Sequence, residues 1–179
     1  MLIFQALYFM LPAYFANMAP VFATKIFGNK FSYPLDFNKT YKGKEILGKN
    51  KTWRGLIAGV VIGILIVYLQ KYLNQIGFFK NLSLIDYTRI NILLYGFLFG
   101  FGVILGDAVK SFFKRRANLK PGDKWFPWDE LDFLGGLILI SFVYMPAWLV
   151  IFLIVIISPL LPIITNWLGF KLKIKKVAW

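Results

Sequence analysis

Two short stretches hold the side chains best suited to chemistry. GDAVKSFFKRR, positions 106–116, and PWDELDF, positions 127–133, set Asp107, Asp129, Glu130 and Asp132 near Lys110, Lys114, Arg115 and Arg116. Positions 106–133 contain five of the chain's eight acidic residues and six of its 21 basic ones. Cysteine and histidine are absent. That excludes disulfides, thiolate metal sites, cysteine nucleophiles and imidazole bases. Catalysis must use carboxylates, Lys, Arg, hydroxyls, backbone groups or a hard cation.

A helix that runs on through SFFKRR places Asp107, Ser111 and Lys114 on one face, at i, i+4 and i+7. The plain alternative is an intrahelical pair of Asp107 with Lys110 or Lys114. Asp129, Glu130 and Asp132 stand where the next helix should begin, just after Pro127. Acids suit a helix N-terminus, which explains Asp129 easily. Asp132 is explained less well, because it abuts the apolar run FLGGLILI. Asp129 and Asp132, three apart, share a helix face. If that helix starts where the previous one ends, Asp107, Asp129 and Asp132 meet, and their repulsion calls for a cation. Mg2+ suits such a set, since it takes oxygen ligands from one or two carboxylates together with substrate phosphates.

The bases complete the pattern. Lys114, Arg115 and Arg116 form one cationic group, and KNKTWRG adds Lys49, Lys51, Thr52 and Arg54. Arg offers a planar fork for phosphate oxygens and Lys a mobile point charge. For any single Lys, membrane topology is the simpler account. Carboxylates among so many bases suit a phosphoryl-type reaction, in which cations neutralise developing charge. No Walker-type glycine loop is present.

These groups must be positioned by membrane helices. The 179 residues are 59% hydrophobic and 16% charged, against about 45–50% and about 25% for an ordinary soluble domain. At this length a single domain over 1–179 is expected. Uncharged runs cover 1–24, 55–70, 90–106 and 133–170. The last would reach about 57 Å as one helix, twice the hydrocarbon thickness of about 30 Å, so it should be two helices turning near Pro146. An all-α membrane protein of about five transmembrane helices follows. Segments 25–54, 107–132 and 169–179 carry eight, six and four basic residues, against three in 71–89. The positive-inside bias then sets the N-terminus out, the C-terminus in, and two functional loops in the cytoplasm. The first span has no basic leader and reads as a retained helix of a multi-pass plasma-membrane protein. Trp125, Trp128, Trp167 and Trp179 read as interfacial anchors. The loop 25–54, long and without apolar periodicity, is either functional or disordered.

In these residues the chain resembles the CDP-archaeol synthases, relatives of the bacterial phosphatidate cytidylyltransferases. LPAYFANMAPV at 11–21, DFNKTYKGKEILGKNKTWRG at 36–55, GDAVKSFFKRRANLKPG at 106–122, PWDELDF at 127–133 and the ending NWLGFKLKIKKVAW carry the likeness. PWDELDF departs from the family pattern at Trp128 and Glu130, and Pro162 stands four residues before Asn166, near where relatives carry His. The resemblance implies transfer of CMP from CTP to the phosphate of 2,3-bis-O-geranylgeranyl-sn-glycerol 1-phosphate, with release of pyrophosphate. It also implies Mg2+ on Asp107, Asp129 and Asp132, with phosphates on Lys114, Arg115, Arg116 and Ser111. Lys51, Thr52 and Arg54 would close over the nucleotide, and the isoprenoid chains would lie in a lipid-facing groove. No nucleic acid is expected. Competing readings are a cytidylyltransferase for phosphatidate or a polyprenyl phosphate, and a small ion transporter. The second fits poorly, since the charges gather at one face and five helices do not split into equal halves.

Overall fold

The computed structural model describes residues 1–120 and 123–171. The side chains of Glu130 and Asn166, Pro162 among them, and the basic tail after Lys171 lie outside the described set.

Among the described residues, three helices are long and apolar enough to cross a membrane: α1 (Leu2–Phe27), α2 (Trp53–Leu73) and α4 (Ile92–Arg116). Their 26, 21 and 25 residues reach roughly 39, 32 and 38 Å at 1.5 Å per residue. A short helix, α3 (Gly77–Leu82), lies between α2 and α4. The uncharged run 133–170 is cut into three pieces rather than two. They are α5 (Phe133–Ser141), α6 (Trp148–Ile157) and α7 (Leu160–Lys171). Pro146 falls in the connection between α5 and α6, where proline was expected to interrupt the helix. The second break, at Ser158 and Pro159, separates α6 from α7. Buried Ser158 has a partner there, the Tyr14 hydroxyl at 2.6 Å.

Backbone-to-backbone packing holds the helices together. In lipid, small residues let helices approach closely, and that packing replaces much of the hydrophobic drive available in water. A Cβ on Gly63 would lie 2.8 Å from the carbonyl oxygen of Gly96, and one on Gly100 would lie 2.6 Å from that of Gly59. These contacts seat α2 on one face of α4. Gly102 and Gly106, on another face of α4, meet Gly135 and Gly136 of α5 in the same manner. At the far end of the bundle, Phe9, Tyr95, Phe99, Ile140 and Ile154 form the buried core, with Phe9 and Phe99 edge to face at 5.4 Å.

The loop between α1 and α2 is ordered. A hairpin pairs β1 (Thr40–Tyr41) with β2 (Lys44–Glu45) in antiparallel register. Asp36 organises what surrounds it: its carboxylate accepts from the backbone N–H groups of Asn38 at 3.0 Å, Leu47 at 2.8 Å and Gly48 at 3.2 Å. Gly48 has φ of +92°, a left-handed conformation that a side chain would strain. Thr52 then caps α2 by accepting from the Gly55 N–H at 3.2 Å.

Candidate active site

The helix does run on through SFFKRR: α4 continues to Arg116 and brings Asp107, Ser111 and Lys114 to one side. Ser111, Lys114 and Arg115 are buried. The close fit of Gly106 against α5 fixes what lies opposite. A Cβ on Gly106 would stand 2.6 Å from the Asp132 carbonyl oxygen, so the Asp132 side chain must emerge beside Asp107. Asp132 occupies the N-cap position of α5 yet makes no capping hydrogen bond. Its carboxylate turns toward α4, which removes the bland explanation of an acid merely stabilising a helix start.

The three predicted carboxylates meet, and Lys110 stands among them. Its Nζ is 2.6 Å from Asp132 Oδ1, 3.3 Å from Asp107 Oδ1 and 3.6 Å from Asp129 Oδ1. The approach to Asp132 Oδ1 is an ion pair without hydrogen-bond alignment, because that oxygen is fully buried and has no aligned donor. Asp107 Oδ2 pairs with Lys51 of the first loop. Lys114 Nζ reaches both oxygens of Asp129, at 2.9 and 3.0 Å, and also the Asp123 carbonyl. Asp129 Oδ2 accepts from the Trp125 N–H at 2.6 Å.

Environment separates the two acids of the second stretch. Burial would lift Asp129, but the Lys114 hydrogen bonds, the Trp125 N–H and Lys110 outweigh it and hold this carboxyl below its usual range. Asp132 is pushed up to about 6, by burial first and then by the charge of Asp107, against the opposing pull of Lys110.

The remaining predicted residues divide by role. Arg115 points at the first loop near Gly48, and its Nε has no partner. Arg116 donates to the Glu45 carbonyl at 2.9 Å and lies over the rings of Tyr41 and Phe112, at 5.3 and 4.3 Å. Arg116 therefore ties the first loop to α4, while Arg115 lies against that loop near Gly48. Arg54 turns back to the end of α1, donating to the carbonyls of Gly28 and Lys30 at 2.7 and 2.6 Å. That pins the turn that follows α1 to the start of α2.

Two cavities flank the cluster. One, of about 600 Å³, is the more polar of the two: Asn17, Lys49, Lys51, Thr52, Arg54 and Asp107 line it together with apolar side chains such as Leu56 and Ile104. The second, of about 620 Å³, is mostly apolar and is lined by Leu105, Val109, Phe113, Trp128, Leu134 and Ile138, with Lys110 and Asp132 at its charged end. Trp125 and Trp128, their rings 5.9 Å apart, thus line a groove in addition to any anchoring role. Asp107, Lys110 and Asp132 form the wall between the two spaces.

The donor chemistry fits a hard cation, because three carboxylates converge on a single positive centre. Among the described residues, no three acidic side chains are gathered tightly enough as they stand to hold a metal ion. The Lys110 ammonium takes the central position among them. Sequence reasoning noted the Asp107–Lys110 spacing only as an intrahelical pair, and it missed Asp36. The Asp-x-Asn order at 36–38 was the available signal, since Asp commonly bonds the backbone two residues on.

A helical membrane scaffold, with acids and bases packed where a polar cavity meets an apolar groove, defines the class: an intramembrane enzyme that joins a charged substrate to a lipid. The chain belongs to the CarS-like family of CDP-archaeol synthases, whose model matches residues 1–179. Members are CTP-dependent cytidylyltransferases. The CDP-archaeol synthase of Methanospirillum hungatei is 37% identical over 178 residues, 95% of this chain and 100% of that one. The Pyrococcus furiosus CDP-archaeol synthase is 38% identical, covering 99% and 98%. A solved structure, described as an intramembrane enzyme for archaeal membrane lipids biosynthesis, superposes with a TM-score of 0.71 at 27% identity, over 90% of this chain and 92% of that one. The activity supported is formation of CDP-archaeol.

Proposed function

We propose that cytidylyl transfer takes place at the wall formed by Asp107, Lys110 and Asp132. CTP would occupy the polar cavity, and the unsaturated archaeal ether lipid would lay its chains in the apolar groove. The observation that carries this reading is the position of the charged cluster, shared by a polar space and an apolar one.

An oxygen of the lipid phosphate attacks the α-phosphorus of CTP. The new P–O bond forms as the bond to the β-phosphate oxygen breaks, and pyrophosphate leaves. The nucleophile is already an anion, so no strong base is needed, in keeping with a chain that lacks His and Cys. The difficulty lies in bringing two polyanions together, so positioning and charge neutralisation dominate the barrier. Lys51, Thr52 and Arg54, which line the polar cavity, hold the nucleotide. Lys114 keeps Asp129 ionised and in place, with Ser111 buried beside it. Arg115 and Arg116 brace the first loop over the nucleotide. Asp107, Asp129 and Asp132 would hold Mg2+, which when bound supplies neutralisation of phosphate charge.

The same reading gives five crossings, with the site on the cytoplasmic side of the plasma membrane. In support, the Tyr144 hydroxyl donates to the Leu84 carbonyl at 2.7 Å, between α3 and α4 and far from Asp132. Chain 132–144 therefore passes from the site end to the opposite end, short though α5 is. Ser158 then meets Tyr14 midway along α1 on the return. The deciding experiment incubates purified protein with CTP, Mg2+ and either the ether lipid phosphate or an ester phosphatidate. CDP-lipid should form with the ether substrate, and preference for the ester would overturn the lipid assignment.

A further inference from the structure

Lys110 serves two neighbours whose demands differ. Its ammonium touches the three carboxylates, at 2.6, 3.3 and 3.6 Å, and its side chain also lines the apolar groove. A divalent ion on those oxygens would sit about 2.0–2.1 Å from each. Such an ion would lie against the ammonium and repel it, most strongly where water is scarce. The three lysines of the cluster are not equivalent in this respect. Lys114 is anchored by both oxygens of Asp129 and by the Asp123 carbonyl. Lys51 approaches Asp107 from the polar cavity. Lys110 alone of the three reaches all three acids, and it has a second place to go. Its long flexible stem and compact charge allow the move.

We infer that Lys110 is a resident counter-ion, holding the carboxylates together until a divalent cation arrives and then withdrawing toward the groove, where its charge faces an incoming lipid phosphate. This inference rests on the metal reading proposed above. One ammonium supplies half the charge of a divalent ion, enough to offset the acids' repulsion without matching the ion's hold. Lys110 thus competes with the metal, and the competition has a sign: removing the ammonium should tighten metal binding. A merely structural lysine would do the reverse, because its loss would let the acids spread.

The test uses the full chain in detergent with Mn2+ alone as probe, titrated by electron paramagnetic resonance. Wild type should bind saturably. Lys110→Met should bind roughly tenfold or more tightly, and Lys110→Arg, which keeps the charge, should stay close to wild type. Equal or weaker binding in Lys110→Met overturns the inference while leaving the metal reading intact. Absence of saturable binding in wild type overturns the metal reading and this inference with it. Should Lys110→Met fail to fold, amine labelling of wild type decides the matter by mass spectrometry. Labelling at Lys110 should rise severalfold when Mg2+ is added, and unchanged labelling under conditions where Mn2+ binds overturns the proposal.

Discussion

Gly106 of α4 rests on the backbone of Asp132, with room for no side chain: a Cβ at Gly106 would lie 2.6 Å from the Asp132 carbonyl oxygen. This contact sets the distance between Asp107 and Asp132. Gly106→Ala must push α5 away from α4. Overpacking of this kind costs about 1–3 kcal/mol, and a displacement of about 1 Å at a reacting site can cost about 10²-fold in rate. The variant should fold with a lowered thermal midpoint and lose about two orders of magnitude in turnover. Gly77→Ala, with nothing within 4 Å of its Cβ, should change neither quantity.

Asp132→Asn keeps the shape of the side chain and removes its charge. Loss of an electrostatic stabiliser at a reacting centre typically costs about 10²–10³-fold. CDP-lipid formation should fall by at least about 10²-fold, with a thermal midpoint in metal-free detergent no lower than wild type at neutral pH. Turnover within a few-fold of wild type would remove Asp132 from the site.

Arg116 holds the first loop through a hydrogen bond to the Glu45 carbonyl and through the Tyr41 ring, with Phe112 of its own helix flanking the guanidinium. Arg116→Lys keeps the charge but loses the planar fork and most of the stacking. The hairpin should become more sensitive to proteolysis, and the KM for CTP should rise about tenfold while the KM for lipid stays constant. A matching rise in the lipid KM would place Arg116 at the other substrate.

The raised Asp132 carboxyl gives a dependence of stability on pH. Its folded-state pKa of about 6 exceeds the ordinary value near 3.9, so folding favours its protonated form. The stability this group contributes is complete below about pH 4 and is lost as pH climbs through about 6, a span on the order of 3 kcal/mol. Without added metal, the advantage of Asp132→Asn over wild type should therefore be larger at pH 7 than at pH 5. Thermal midpoints of both proteins across that range provide the check, and parallel curves would show that Asp132 does not titrate there.

Much of this arrangement was legible in the residues. The spacing of Asp107, Ser111 and Lys114 allowed a helix running on through SFFKRR, which α4 does, and the awkward fit of Asp132 as a cap marked it as the acid least explained by a helix start. Other parts depended on contacts between distant segments. The Gly59/Gly63 and Gly96/Gly100 pairs sit four apart in the chain, a spacing that marks close helix approach, but which pairs meet is decided only in three dimensions. Run 133–170 carries no charge to mark its breaks. That Ser158 and Pro159 end α6 depends partly on a hydroxyl 144 positions away, on Tyr14. Lys110 could be paired with Asp107 by spacing alone, whereas its contact with Asp132 needed the Gly106 packing.

The wall of three side chains between the two cavities has a kinetic corollary. With CTP in the polar cavity and the lipid in the apolar groove, as proposed, each substrate would have its own entrance, one from water and one sideways from the leaflet, and neither would block the other's route. Loading would then need no compulsory order, and the products would part in opposite directions: pyrophosphate to the aqueous side, the activated lipid back among its neighbours without ever leaving oil.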